Sequence, residues 1–164
     1  MKIAKQSALL FLFLMIFWVS FTSLDRQELL TGLVVCAVLV FFFARRAAVF
    51  GELRLTPKAL LFAFIYLFVF LYELIRSNLD VARRVLSPQL PIHPGIVKVK
   101  TGLQSRLGRT ILANSITLTP GTLTVETHGE YFYIHWIDVS ADDIEDVSEA
   151  IVSKFEKYLE VVFG

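Results

Sequence analysis

The chain has 164 residues, of which 55% are hydrophobic, 13% aromatic and only 19% charged, with a formal net charge of +1. This is too apolar for a soluble domain, and the near-zero charge leaves no basic face of the size that a nucleic-acid binder needs to neutralise phosphates. The single cysteine, Cys36, lies inside an apolar run, so it forms no internal disulfide and reads as a small buried hydrophobe.

Ala8 to Leu24 carries no charge, is filled with Leu, Phe, Met and Trp, and closes on Ser20, Thr22 and Ser23. With Lys2 and Lys5 before it, the segment has the outline of a cleavable signal. Phe21, however, occupies the position where a small residue is wanted before a cut after Ser23, so a retained span is expected. A polar break, Asp25-Arg26-Gln27-Glu28, permits only a tight helical hairpin. The chain then runs uncharged from Leu29 to Ala44 and stops at Arg45-Arg46.

A third run, Ala59 to Tyr72, follows Pro57, which suits a helix start, and Lys58, which suits an interfacial anchor. Each run is shorter than the roughly 20 residues that cross a bilayer, so flanking residues must complete the spans, with Lys5, Arg45, Arg46 and Lys58 snorkelling. Residues 1–88 are thus expected to be a transmembrane region, with spans over about 5–24, 29–48 and 58–75 and the last helix continuing to about 86. A soluble bundle fails, because so short a chain has too little polar surface to cover three apolar helices.

Between Glu73 and Leu86 the helical pattern persists with Glu73, Arg76, Asp80, Arg83 and Arg84 at three- and four-residue spacing, and Ser87-Pro88 ends it. This charged stripe has two readings: a docking face for neighbouring subunits or lipid head groups, centred on Glu73, Arg76 and Asp80, or a solvated ladder of ion pairs. Glu73 reaches a polar cavity or pairs with Arg76 at the membrane boundary.

Residues 89–164 read as a polar α+β domain of order β-α-β-β-α, suited to a small two-layer fold. Ile96–Lys100 has strand character, and a helix is expected from about Gln104 to Ser115, weakened slightly by Gly108. Thr119-Pro120-Gly121-Thr122 predicts a type II turn: Pro presets the first central dihedral and Gly supplies the positive one. Two alternating runs around His128-Gly129-Glu130 read as a hairpin, with Phe132, Ile134 and Trp136 on one face and Tyr133, His135 and Ile137 on the other. Ser140-Ala141-Asp142-Asp143 has the form of an acidic capping box opening the last helix, whose apolar face is Ile144, Val147, Ile151, Phe155, Tyr158 and Val162.

No catalytic set can be assembled. His93, His128 and His135 have no Cys or carboxylate at metal-ligand spacing, and there is neither a phosphate-binding glycine loop nor a nucleophile elbow. No enzyme, metal, cofactor or small-molecule substrate is therefore expected. The first two spans also lack the ionisable side chains that a proton or sodium relay needs.

The segment Leu112-Ala-Asn-Ser-Ile-Thr-Leu-Thr-Pro-Gly-Thr-Leu123 resembles the signature of the E subunit of Mrp/Mnh-type multisubunit cation/proton antiporters. The likeness extends over the chain, including Glu73, Arg76 and Asn78, Pro94-Gly95-Ile96-Val97, and His135 to Asp138. It implies an accessory subunit of a sodium/proton antiporter in a prokaryotic plasma membrane, acting beside large partner subunits that carry the ion path. Related subunits occur in energy-converting membrane hydrogenases, so an equivalent place in such a complex is the alternative, and an independent membrane-tethered binding module is a third. Asn114, Thr117, Thr119, Pro120 and Gly121 are expected to be structural members of the signature, their short polar side chains ending the helix and satisfying freed backbone groups. The resemblance also implies a cytoplasmic C-terminal domain. With three crossings, Lys2, Lys5, Arg45, Arg46, Arg54 and Lys58 face Arg26, Arg76, Arg83 and Arg84 across the membrane, which tilts slightly the other way. We follow the resemblance, since the imbalance is only two residues.

Overall fold

The computed structural model describes residues 2–43, 52–140 and 143–164. Arg45, Arg46 and the end of the second predicted span lie outside these residues, as do Ala141 and Asp142 of the predicted capping box. Three helices are long and apolar enough to cross a membrane, and a small domain with a three-stranded antiparallel sheet follows them. The chain packs as two compact units, Met1–Leu53 and Arg54–Gly164.

The first unit is a hairpin of α1 (Lys2–Phe21) and α2 (Arg26–Phe43). At the break, Ser23 Oγ donates to Asp25 Oδ2 at 2.8 Å, and the Leu29 amide donates to the Asp25 carbonyl. Trp18 Nε1 donates to the Glu28 carbonyl at 3.1 Å, satisfying a partly buried polar atom of α1 with the first turn of α2. The Trp18 ring lies so close to Gly32 that a Cβ there would sit 2.6 Å from the indole, so only glycine fits. Gly32 and Cys36, one turn apart, are buried, whereas Phe17, Phe41 and Phe42 point outward. Lys5 Nζ donates to the Leu53 carbonyl at 3.1 Å.

The second unit begins with α3 (Pro57–Leu86), capped by Thr56, whose hydroxyl accepts the Ala59 amide, and with Pro57 in its first turn as the sequence predicts. Then come β1 (Gly95–Lys100), α4 (Arg106–Leu118), β2 (Thr122–His128), β3 (Tyr131–Trp136), α5 (Ile144–Ser148), a π-helical turn at Glu149–Ser153, and α6 (Lys154–Phe163). The hairpin strand β3 is central, in the order β1-β3-β2, with a bulge between Thr124 and Glu126. Val99, Phe132 and Ile134 turn from the sheet into a core shared with Leu112 and Ile116 of α4 and Phe155 and Leu159 of α6. α6 packs against both α4 and α3, so α3 forms an outer layer beyond the sheet and its covering helices.

Two sequence expectations change in detail. α4 begins at Arg106, capped by Ser105, and runs three residues beyond Ser115. Gly108 is there for close approach: an added Cβ would lie 3.1 Å from Phe163 Cβ. The last helix is not one regular face. Asp143, not Ser140, is its N-cap, accepting the Ile144 amide, and the π turn inserts one residue into the repeat. Val152, Leu159 and Phe163 therefore enter the core beside Val147, Ile151, Phe155 and Val162, while Ile144 stays exposed.

A candidate subunit-binding stripe and the clamp beneath it

Glu73 is the one buried acidic residue among the described residues. Its Oε2 accepts from Lys154 Nζ of α6 at 3.1 Å, and Oε1 lies 3.7 Å from Arg76 Nη1. The strongly exposed Arg76 guanidinium is the weaker partner, because solvent screens it and its distance is longer. Lys154 lies 81 residues away, which is why local spacing could not reveal it.

Three turns on, Arg84 collects the next set. Its Nε donates to Asp80 Oδ2 at 2.8 Å, and its Nη1 donates both to Asp138 Oδ2 and to the Pro91 carbonyl at 2.7 Å. Asp138 Oδ1 is 3.1 Å from His93 Nδ1, and the backbones of His93 and Asp138 form an isolated bridge. The Arg84 guanidinium, and after it the His93 ring, hold the Asp138 carboxyl below the ordinary carboxylate range.

The stripe is thus the upper edge of a clamp between α3 and the domain. Further down the same face, the Tyr66 hydroxyl bonds Ser115 of α4, and the Tyr66 and Phe70 rings meet Phe155. Phe62 meets Tyr158, and at the foot the Arg54 amide donates to the Val162 carbonyl at 3.0 Å. Sequence reading missed Tyr66, Lys154 and Asp138 as members. The signal present was the row Phe62, Tyr66, Phe70, Glu73, Ser77, Asp80 and Arg84, which falls on one helical face.

The signature residues gather at the end of α4. The Thr119 amide bonds the Ser115 and Ile116 carbonyls, and its buried hydroxyl donates to the Ser115 carbonyl. Thr117 Oγ1 accepts the Thr124 amide at 3.1 Å, joining α4 to β2. The turn closes with the Thr122 amide on the Thr119 carbonyl, with Gly121 at φ +94°. An added Cβ on Gly121 would lie 3.0 Å from Ile137 Cγ2 and 3.7 Å from Val81 of α3, so the turn also sits close under the clamp. Asn114 is exposed and lines a separate open cleft of about 500 Å³ with Arg106, Arg109 and Phe132. Among the described residues no cluster of three metal-ligating side chains occurs.

Fold and site together define a helical membrane protein whose charged groups fasten its own parts. The family model of the Na+/H+ ion antiporter subunit, MNHE, matches residues 11–162, and the chain belongs to this family. It is 37% identical to the E subunit of the Na(+)/H(+) antiporter of Alkalihalophilus pseudofirmus, over 91% of this chain and 97% of the relative. The E subunit of the Bacillus subtilis Na(+)/H(+) antiporter is 35% identical over 94% and 96%. A chain in the solved structure of the membrane-bound sulfane sulfur reductase, an archaeal respiratory membrane complex, superimposes with a TM-score of 0.87 at 44% identity, covering 97% of this chain and 99% of that one.

Proposed function

We propose that the chain is an accessory subunit of a multisubunit sodium/proton antiporter, supporting assembly and stability rather than forming the ion path, with its C-terminal domain on the cytoplasmic side. One observation carries the accessory role: Ala8–Leu24 and Leu29–Phe43 hold no ionisable residue except Cys36, and the carboxylate at the end of the third apolar run, Glu73, is closed by Lys154 and Arg76. A relay needs a group that can take up and release the ion near mid-membrane. The partners are the other subunits and the surrounding lipid.

Likeness to the archaeal respiratory complex favours a second reading, the equivalent subunit of a redox-driven membrane complex. Mild detergent extraction, followed by native mass measurement and identification of the co-purifying chains, separates the two: antiporter subunits alone support the first, and redox subunits support the second. Robust sodium/proton exchange by this chain alone in vesicles would sink both.

The stripe of Glu73, Arg76 and Asp80 remains the proposed contact with those partners. Because Glu73 and Asp80 are bonded within the chain, Arg76 is the outward member. Arg76→Ala should lose co-purifying partners with unfolding of the second unit unchanged, while Glu73→Ala should lower both. Full recovery of partners with all three alanine variants, Asp80→Ala included, would reject the contact.

A further inference from the structure

β2 is an edge strand of the sheet, and it runs back along α4 after the turn at Gly121. Its first half is fastened to that helix: Thr117 Oγ1 accepts the Thr124 amide, and Thr124 Oγ1 donates to the Ala113 carbonyl at 3.1 Å. Past the bulge between Thr124 and Glu126 strand and helix part, around the cleft of about 500 Å³. Phe132 forms its floor, Arg106, Arg109 and Asn114 its helical wall, and Thr127 its strand side. His128 and Tyr131 flank the two-residue turn Gly129–Glu130, which makes them a hydrogen-bonded pair. The next pair, Thr127 with Phe132, is then of the other kind, so the amide and the carbonyl of Thr127 both point off the edge of the sheet.

Charge on the helical wall has one sign. Arg106 and Arg109 stand about one turn apart on α4, where like charges repel, and among the described residues neither meets a carboxylate. The acids nearest in sequence face elsewhere. Glu130 Oε2 lies 3.5 Å from Lys100 Nζ, and Glu126, opposite Tyr133, is on the outer face of the sheet. The Arg109 guanidinium sits over the Phe132 ring, 5.4 Å from its centroid, which holds it at the cleft. Asn114 is exposed within α4, well before the helix ends at Leu118, and its side chain bonds no other described residue.

We infer that this cleft is a docking site for an extended, acidic segment of a partner chain, added beside Thr127 as a short fourth strand. Carboxylates on the side of the segment that faces α4 neutralise Arg106 and Arg109, and the Asn114 carboxamide serves a third side chain. The spacing suits a strand. Arg106, Arg109 and Asn114 span about 12 Å of helix, and residues i, i+2 and i+4 of an extended chain span about 13 Å. A peptide fits better than a phosphate because Thr127 offers a carbonyl as well as an amide. Phosphate brings acceptors only, whereas a strand supplies donor and acceptor in register. The site is separate from the stripe on α3, and it rests on the subunit reading only for the source of the segment.

The test uses the full-length chain in dodecyl maltoside and a fluorescein-labelled heptapeptide of alternating Glu and Val. Fluorescence anisotropy should show saturable binding with a Kd below about 1 mM. Gln in place of every Glu of the peptide, or methyl groups on the backbone nitrogens of alternate residues, should weaken it at least about tenfold with the protein unchanged. The charge-swapped chain, Arg106→Glu with Arg109→Glu, should instead prefer the heptapeptide that carries Lys for Glu. A benzoylphenylalanine at Thr110, on the cleft wall, should photo-crosslink the Glu peptide, and one at Ile96, on the outer face of the sheet, should not. No saturable binding, binding indifferent to the change from Glu to Gln, or equal crosslinking at both positions overturns the inference. Displacement of the peptide by phosphatidylglycerol micelles but not by unlabelled peptide also overturns it, in favour of a lipid site. If no partner chains co-purify, the subunit reading fails, and the peptide result still decides the cleft.

Discussion

The most apolar 18-residue stretch of the three long helices lies in α3, yet α1 and α2 differ from it in kind. Among the described residues of the hairpin, burial is confined to a seam at Gly32 and Cys36 with Trp18 against it, and large side chains point outward around the rest. On α3 a row of aromatic and charged residues is matched, member by member, by α4, α6 and the loop at Asp138. Hydropathy reports how apolar a helix is. The bonding of its polar groups tells what it is apolar against.

Two tryptophans allow the regions to be probed separately, Trp18 in the hairpin and Trp136 in β3. In a Trp18→Phe background, Phe155→Ala should cause the largest loss, about 3–5 kcal/mol in denaturant unfolding followed by Trp136, since it empties a fully buried site between α3 and the core. Phe41→Ala, at a strongly exposed ring, should change unfolding followed by Trp18 by less than about 0.5 kcal/mol. Equal losses would erase the contrast between the regions.

Gly121→Val forces a β-branched residue to a positive φ and drives its Cβ against Ile137. A cost of about 1–3 kcal/mol is expected from strain alone, so an unchanged midpoint would show that the turn relaxes freely. Lys154→Ala leaves Glu73 buried with only the exposed Arg76, at roughly 1–3 kcal/mol, towards the lower end because Lys154 is partly solvated. A double-mutant cycle with Glu73→Ala isolates the pair, and zero coupling would reduce it to a geometric coincidence.

The smallest effect concerns pH. Because the folded carboxyl of Asp138 is held below its unfolded value, its contribution is complete above about pH 4 and is lost as pH falls through the depressed value. Asp138→Asn should therefore be less stable than the parent at pH 7, with the gap closing in acid. A gap independent of pH would mean that the Arg84 contact does not depend on the carboxylate charge.

Much of this architecture is legible in the sequence. Period-two alternation places Phe132 and Ile134 inward, and Pro-Gly chemistry sets the turn, because both are local codes. What cannot be read is partnership at a distance. Phe62, Tyr66 and Phe70 look as apolar as Phe64 and Phe68, and only α6 decides which of them face protein. The π turn hides α6 further, since an inserted residue breaks the repeat by which its face would be recognised. Of the candidate site, the charges were visible and their direction was not: the spacing that suggested a ladder along α3 also fits a row aimed at the domain.

The 81 residues between Glu73 and Lys154 set a delay in the protein's making. At about 5–20 residues per second, the ribosome needs roughly 4–16 s after adding Glu73 to reach Lys154. Helix formation takes microseconds or less, so α3 is complete long before α6 exists to cover it. Throughout that interval Phe62, Tyr66 and Phe70 lack their native partners, and a nearby lipid surface or a chaperone must shield the nascent helix until the last segment is made.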